Sequence, residues 1–126
     1  GTLDEVKQKA DIISIHLPLD EETEGMINKK FLQECKPGFV LINTSRGKIV
    51  DTEDLLAGLQ RGYVGGACLD VFENEKVETY SEVEKETYQA LVDLPNVVLT
   101  PHIAGWTFES YFKIGKVMAE KILALI

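Results

Sequence analysis

Arg46, Glu75 and His102 carry side chains whose chemistry can combine. Arg46 stands in the run Thr44-Ser45-Arg46-Gly47, where a planar guanidinium offers a two-pronged match to a carboxylate. His102 follows Pro101, and an imidazole gains and loses a proton near neutral pH. Glu75 lies among other acidic residues, and beside His102 its charge would favour the imidazolium. Each has a plainer reading: a surface or ion-paired Arg, a hydrogen-bonded loop His, a solvated Glu. Together the three describe one reaction. An imidazolium gives a proton to a carbonyl oxygen while hydride arrives at the carbon, and the Arg holds a neighbouring carboxylate. That is the reversible reduction of a 2-keto acid to a 2-hydroxy acid. Spacing alone does not single out these residues.

Such a site needs elements that bring its parts together, and the sequence supplies strands alternating with helices. Residues 3–9 read as a short polar helix. Residues 11–18 (DIISIHLP) are a β-branched apolar run stopped by Pro18, expected as a strand buried on both faces. Residues 19–27 read as a loop. Asn28 can cap a helix through about Glu34, and Pro37-Gly38 ends it. Residues 39–43 (FVLIN) are a second buried strand. Asp51 is a suitable N-cap, with Glu53 and Asp54 in the first turn of a helix that ends near Gly62. Residues 64–72 form a third strand, where Gly65, Gly66 and Ala67 would admit a helix or ligand closely. The acidic run 73–86 holds six Glu and reads as a solvated loop leading into a helix that ends near Leu94. Residues 97–100 give a fourth strand, and a last helix covers about 107–125. Phe108, Phe112, Gly115, Ala119, Ile122 and Ile126 share one face of it.

This alternation predicts an α/β fold: a Rossmann-like parallel sheet with flanking helices and right-handed crossovers. Ligands then sit beyond the carboxyl ends of the strands. All the polar clusters fall there: His16-Leu17-Pro18, Thr44-Ser45-Arg46, Asp70 to Glu75, and His102. In 126 residues one compact domain is expected, with 44% hydrophobic residues to supply a core. A net charge of -8, from 13 basic and 21 acidic residues, argues against nucleic acid or an anionic membrane as partner. No apolar run is long enough to span a bilayer, and no signal peptide is visible. Cys35 and Cys68 form no CxxC pair and only two His are present, so no metal is expected. Reduced thiols and a cytoplasmic protein are expected.

Four stretches carry a resemblance. HLPLDEETEGMIN, LINTSRGKIVD, GACLDVFENE and PNVVLTPHIAG resemble, in order and spacing, the signatures of the D-isomer-specific 2-hydroxyacid dehydrogenases. The resemblance covers nearly the whole chain and implies the C-terminal part of an NAD-binding domain. It implies that Arg46 binds the substrate carboxylate and lies by the nicotinamide. It implies that His102 is the general acid/base, that Glu75 is its partner, and that Asp70 contacts the nicotinamide end. Leu17, Pro18, Thr23, Thr44 and Ser45 match cofactor-lining positions, and Gly105 matches more weakly. Lys76 departs from the Pro that often follows the family's Glu, which leaves Glu73 as a competitor to Glu75. Trp106 is a further departure, either shaping the substrate pocket or packing.

The family's phosphate-binding GxGxxG turn is absent, as is the acidic residue about 20 positions beyond it that reads the ribose. Both are expected before residue 1. The chain is thus expected to be a piece of a longer protein, with the helix at 107–126 leading toward a separate substrate domain and the piece alone inactive. NAD is the expected cofactor and NADP stays open. A small 2-hydroxy or 2-keto acid is the expected substrate, and a homodimer the expected state of the intact protein. The alternative is an NAD-sensing, corepressor-like binding protein of the same fold.

Overall fold

A computed structural model describes residues 1–125. Its elements run α1 (Leu3–Lys9), β1 (Ile12–Ile15), α2 (Lys29–Glu34), β2 (Phe39–Asn43), α3 (Thr52–Gln60), β3 (Val64–Leu69), α4 (Glu82–Val92), β4 (Val97–Leu99) and α5 (Phe108–Leu123), with short 3-10 turns at Gly47–Ile49 and Val77–Thr79. The four strands pair in sequence order, all parallel. This is the expected α/β, Rossmann-like sheet with flanking helices. The expected Ile126 position on the last helix lies outside the described residues.

Local signals start the helices. Asn28 accepts hydrogen bonds from the Lys30 and Phe31 amides, and Asp51 accepts one from Asp54. Ser81 and Glu84 form a reciprocal capping box on α4, as Thr107 and Ser110 do on α5. Right-handed crossovers that advance steadily along a parallel sheet put every connecting helix on the same face. Accordingly α1 packs on α2, α2 on α3 and α3 on α4. In the core between helices and sheet, Leu41, Ile49, Leu55 and Leu91 are 0% exposed.

The other face corrects an expectation. β1 is not buried on both sides: Ile13 and Ile15 face the core, but Ile12 is 60% exposed and Ser14 is open. Val40, Ile42 and Cys68 on the same outer face are only half-buried, and Val98 is 57% exposed. Ile12 is as hydrophobic as Ile13, so the sequence reads as covered twice, yet among the described residues helices cover one side only. α5 does not fill the gap, since Phe108 is 95% and Phe112 76% exposed. The strands also stop earlier than expected, at Ile15 and Leu69. Gly65 and Gly66 admit backbone rather than a helix or ligand. A Cβ on Gly65 would lie 2.3 Å from the Gly38 oxygen, and one on Gly66 2.8 Å from the Asn96 oxygen.

Candidate active site

Because the strands are parallel, their carboxyl ends share one edge, and each end has its own device for holding a polar loop. At the end of β2 that device is Asn43, whose side chain faces inward and is 1% exposed. Its Oδ1 accepts from the Ser45 amide at 3.0 Å and its Nδ2 donates to the Arg46 carbonyl at 2.9 Å, so the Thr44–Arg46 turn is built around it. Sequence reasoning passed over Asn43. The signal was available: a polar residue at an inward-facing strand position must find partners in the next turn. Gly47 then brings this turn against the loop after β3, where a Cβ would fall 1.9 Å from the Phe72 carbonyl carbon and oxygen. Ser45 reaches the other way and donates its hydroxyl to the Leu17 carbonyl.

At the end of β3, buried Asp70 clamps the loop that follows β4. Its Oδ1 accepts from the Thr100 hydroxyl and from the Ile103 amide at 2.9 Å. Its Oδ2 accepts from the Ala104 amide at 2.9 Å. Burial pushes this carboxyl up, but the Thr100 hydroxyl, the Ala104 and Ile103 amides and the His102 charge outweigh it and hold Asp70 below the ordinary carboxylate range. The clamp spans His102, which adopts a left-handed backbone (φ 56°). Such a conformation costs a non-glycine residue on the order of 1–3 kcal/mol and persists where its surroundings enforce it. Here the Asp70 bonds do so.

Held there, His102 directs Nδ1 at the Glu75 carboxylate, with Nδ1···Oε2 at 3.0 Å. Its imidazole is about half exposed (49%). Glu73 takes a different post: its Oε1 accepts from the Thr52 amide at 2.7 Å, adding a second cap to α3. Of the six Glu in the acidic run, Glu73, Glu75 and Glu84 thus have specific partners, while Glu82 pairs with Lys85 on the surface.

Thr44, Asp70, His102 and Gly105, all expected to line the site, border one open cavity of about 350 Å3 that Trp106 and Tyr111 also line. Thr23 lies apart from that cavity's lining and bonds within its own turn, donating to the Pro18 carbonyl at 2.7 Å. Leu17 and Pro18 are exposed at the end of β1. Arg46 is exposed on the same edge but folds back on itself, its Nη1 donating to the Ser45 carbonyl at 2.7 Å. The structure therefore joins Glu75, His102 and Asp70, and leaves Arg46 on the same edge without a bond to any of the three.

This geometry agrees with three comparisons. Residues 1–104 match the family model for the D-isomer specific 2-hydroxyacid dehydrogenase, NAD binding domain. The chain belongs to that family. It is 41% identical over 122 residues to D-3-phosphoglycerate dehydrogenase of Bacillus subtilis, covering 97% of this chain and 22% of that protein. It is 40% identical over 124 residues to glyoxylate reductase of Thermofilum pendens, covering 98% of this chain and 34% of that protein. Among solved structures it resembles the D-lactate dehydrogenase of Aquifex aeolicus complexed with NAD and lactic acid, with a TM-score of 0.84 and 37% identity over 99% of this chain and 40% of that one. The chain thus spans about a third or less of the length of these curated relatives.

Proposed function

We propose that this chain is the catalytic-loop part of the NAD-binding domain of a longer D-2-hydroxyacid dehydrogenase, in which Arg46, Glu75 and His102 act on a small 2-keto or 2-hydroxy acid. The observation that carries the reading is the Glu75–His102 pair at 3.0 Å, set on the ligand-binding edge of a parallel sheet. The edge also fits one end of the cofactor. Asp70 Oδ2 takes only the Ala104 amide among the described residues, which leaves an acceptor position toward the cavity bordered by Thr44 and Gly105. Thr44, Ser45 and Asp70, with Leu17 and Pro18 at the rim, would hold the nicotinamide end, and Thr23 would act through the turn that carries Pro18. NAD(H), when bound, supplies hydride exchange. No glycine-rich phosphate turn is present in these 126 residues, so tight binding is assigned to the longer protein.

The chain's own residues supply the rest. Glu75 at Nδ1 fixes the orientation of the imidazole, which leaves Nε2 to give a proton to a carbonyl oxygen or take one from a hydroxyl. Arg46, freed from the Ser45 carbonyl, offers its fork to the substrate carboxylate. Cys35 and Cys68, both free thiols, support a reducing, cytoplasmic setting. The bare sheet face and α5 support a homodimeric intact protein and weak function of the piece alone.

The test uses the full-length protein. His102→Ala should lower the turnover of 2-keto acid reduction by about 10²–10⁴-fold while NADH binding persists. Arg46→Ala should mainly raise the Michaelis constant. Unchanged turnover in the His102 variant overturns the assignment. A wild-type protein that binds NADH and reduces no 2-keto acid favours the sensor instead.

A further inference from the structure

Glu75 poses a positional problem. It sits on an exposed loop, its side chain 44% exposed, yet it meets His102 at 3.0 Å. Holding a solvated carboxylate in one geometry costs side-chain and backbone freedom that a surface ion pair barely offsets. Something must hold the loop, and the residue before Glu75 does so.

We propose that Asn74 is the positioning residue that keeps Glu75 against His102; this rests on the proposed role of the pair. Asn74 Oδ1 accepts from the Lys76 amide at 3.0 Å. A side-chain oxygen bonded to the amide two residues on closes an Asx turn, and Glu75 is the residue at its apex. Asn74 Nδ2 donates to Thr79 Oγ1 at 3.0 Å and to Glu84 Oε1 at 3.1 Å, which moors the turn to the first turn of α4. Behind it, the Tyr88 ring packs edge-on to Phe72 at 5.4 Å and against Tyr80 at 4.8 Å. One amide therefore grips the chain on both sides of Glu75 and ties it to Glu84, whose other oxygen closes the α4 capping box with Ser81. Asn74 touches no reacting atom in this arrangement. The ionisable groups facing His102 are Glu75 from this loop, Asp70 from the end of β3, Tyr80, which lines the same cavity of about 200 Å3, and Tyr111 of α5, which lines the cavity of about 350 Å3 with it. Loosening Asn74 changes the distance to Glu75 and leaves Asp70 in its clamp.

The experiment measures pH–rate profiles of 2-keto acid reduction, together with NADH affinity, for the full-length protein and for Asn74→Ala, Glu75→Gln and the double variant. Removing Asn74 should lower turnover about tenfold across the profile while the Michaelis constant for the keto acid stays nearly unchanged. NADH affinity should stay within about twofold. In the Glu75→Gln background the Asn74 change should add nothing, because both act through one interaction. Asn74→Leu keeps the volume while removing the same bonds, so it carries the test if the alanine variant does not fold. A wild-type profile in a folded Asn74 variant, or an additive double variant, overturns the proposal while leaving the pair intact. A wild-type profile in Glu75→Gln overturns the pair itself, and Asn74 with it.

Discussion

Helices α3 and α5 begin in similar ways and end up in opposite situations. Asp51 caps α3 and Thr107 caps α5, each by accepting a bond from the amide three residues on. Both helices have an apolar side. In α3 that side is spent on the core, with Leu55 0% and Leu59 6% exposed. In α5, of 16 residues, none is buried. The difference shows that caps and periodicity decide whether a helix forms, whereas packing partners decide whether it stabilises anything. α3 lies between α2 and α4 over a finished face of the sheet. α5 lies beyond the last strand, where the described residues bury none of its apolar side chains.

The comparison breaks most visibly at Leu55. Leu55→Ala leaves a cavity in the core and should destabilise the chain by about 2–5 kcal/mol, read from urea unfolding. A loss under about 0.5 kcal/mol, the range of an exposed site, would mean that α3 is no better anchored than α5. Gly47→Ala comes next. It forces apart the Arg46 turn and the Phe72–Glu73 backbone, at a cost of about 1–3 kcal/mol, and lowers the melting temperature accordingly. An unchanged melting temperature would show that the two loops are less closely coupled than the contact implies.

The layer architecture could be read from the sequence because it follows from alternation: β-branched runs ended by Pro18 and Pro101, and caps at Asn28 and Asp51. Burial was harder to read. Ile12 and Ile13 are chemically identical, and only the hand of the crossovers decides which is covered. In the site, His102 and Arg46 were candidates by residue type and by position after a strand, but their roles came from the family resemblance and not from spacing. Glu75 could not be separated from Glu73 by type, since both are carboxylates two residues apart. Their fates depend on the path of a loop that brings one to the α3 terminus and the other to the imidazole. Asn43 was missed although its inward strand position was a signal, and Asn74 because its bonds to the Lys76 amide, Thr79 and Glu84 depend on the path of the loop.

Asp70 offers an intermediate effect that depends on pH. Asp70→Asn keeps the shape but replaces one acceptor by a donor facing amides, so it should cost about 1–3 kcal/mol at neutral pH. The native carboxyl is held below its ordinary range, so its contribution is fully present above that range and is lost as pH falls through the depressed folded value. The gap between wild type and variant in urea unfolding should therefore narrow in acid. A gap that is constant down to strong acid would mean that the Thr100, Ile103 and Ala104 bonds do not favour the ionised form.

The smallest effect on stability is expected on α5, and it sharpens the contrast most. Phe112 is 76% exposed, and truncating a side chain that contacts little changes folding free energy by no more than about 0.5 kcal/mol. The same exposure makes association favourable. Phe108, Phe112 and Ile122 fall on one face of the helix, with Tyr111, Ile114 and Met118 beside them, each more than half exposed. Contiguous apolar patches of this kind mark surfaces that join others. The isolated 126-residue chain should therefore self-associate in light scattering, and NADH titration should show weak binding because no phosphate turn is present. Replacing Phe108 and Phe112 together by Ser should shift the scattering toward monomer without moving the urea midpoint. If the double variant instead lost stability to the extent of Leu55→Ala, α5 would have to pack on this chain in solution, and the division between a finished face and an unpartnered helix would fall. A wild-type chain that stayed monomeric at all concentrations would remove the association argument while leaving the fold untouched.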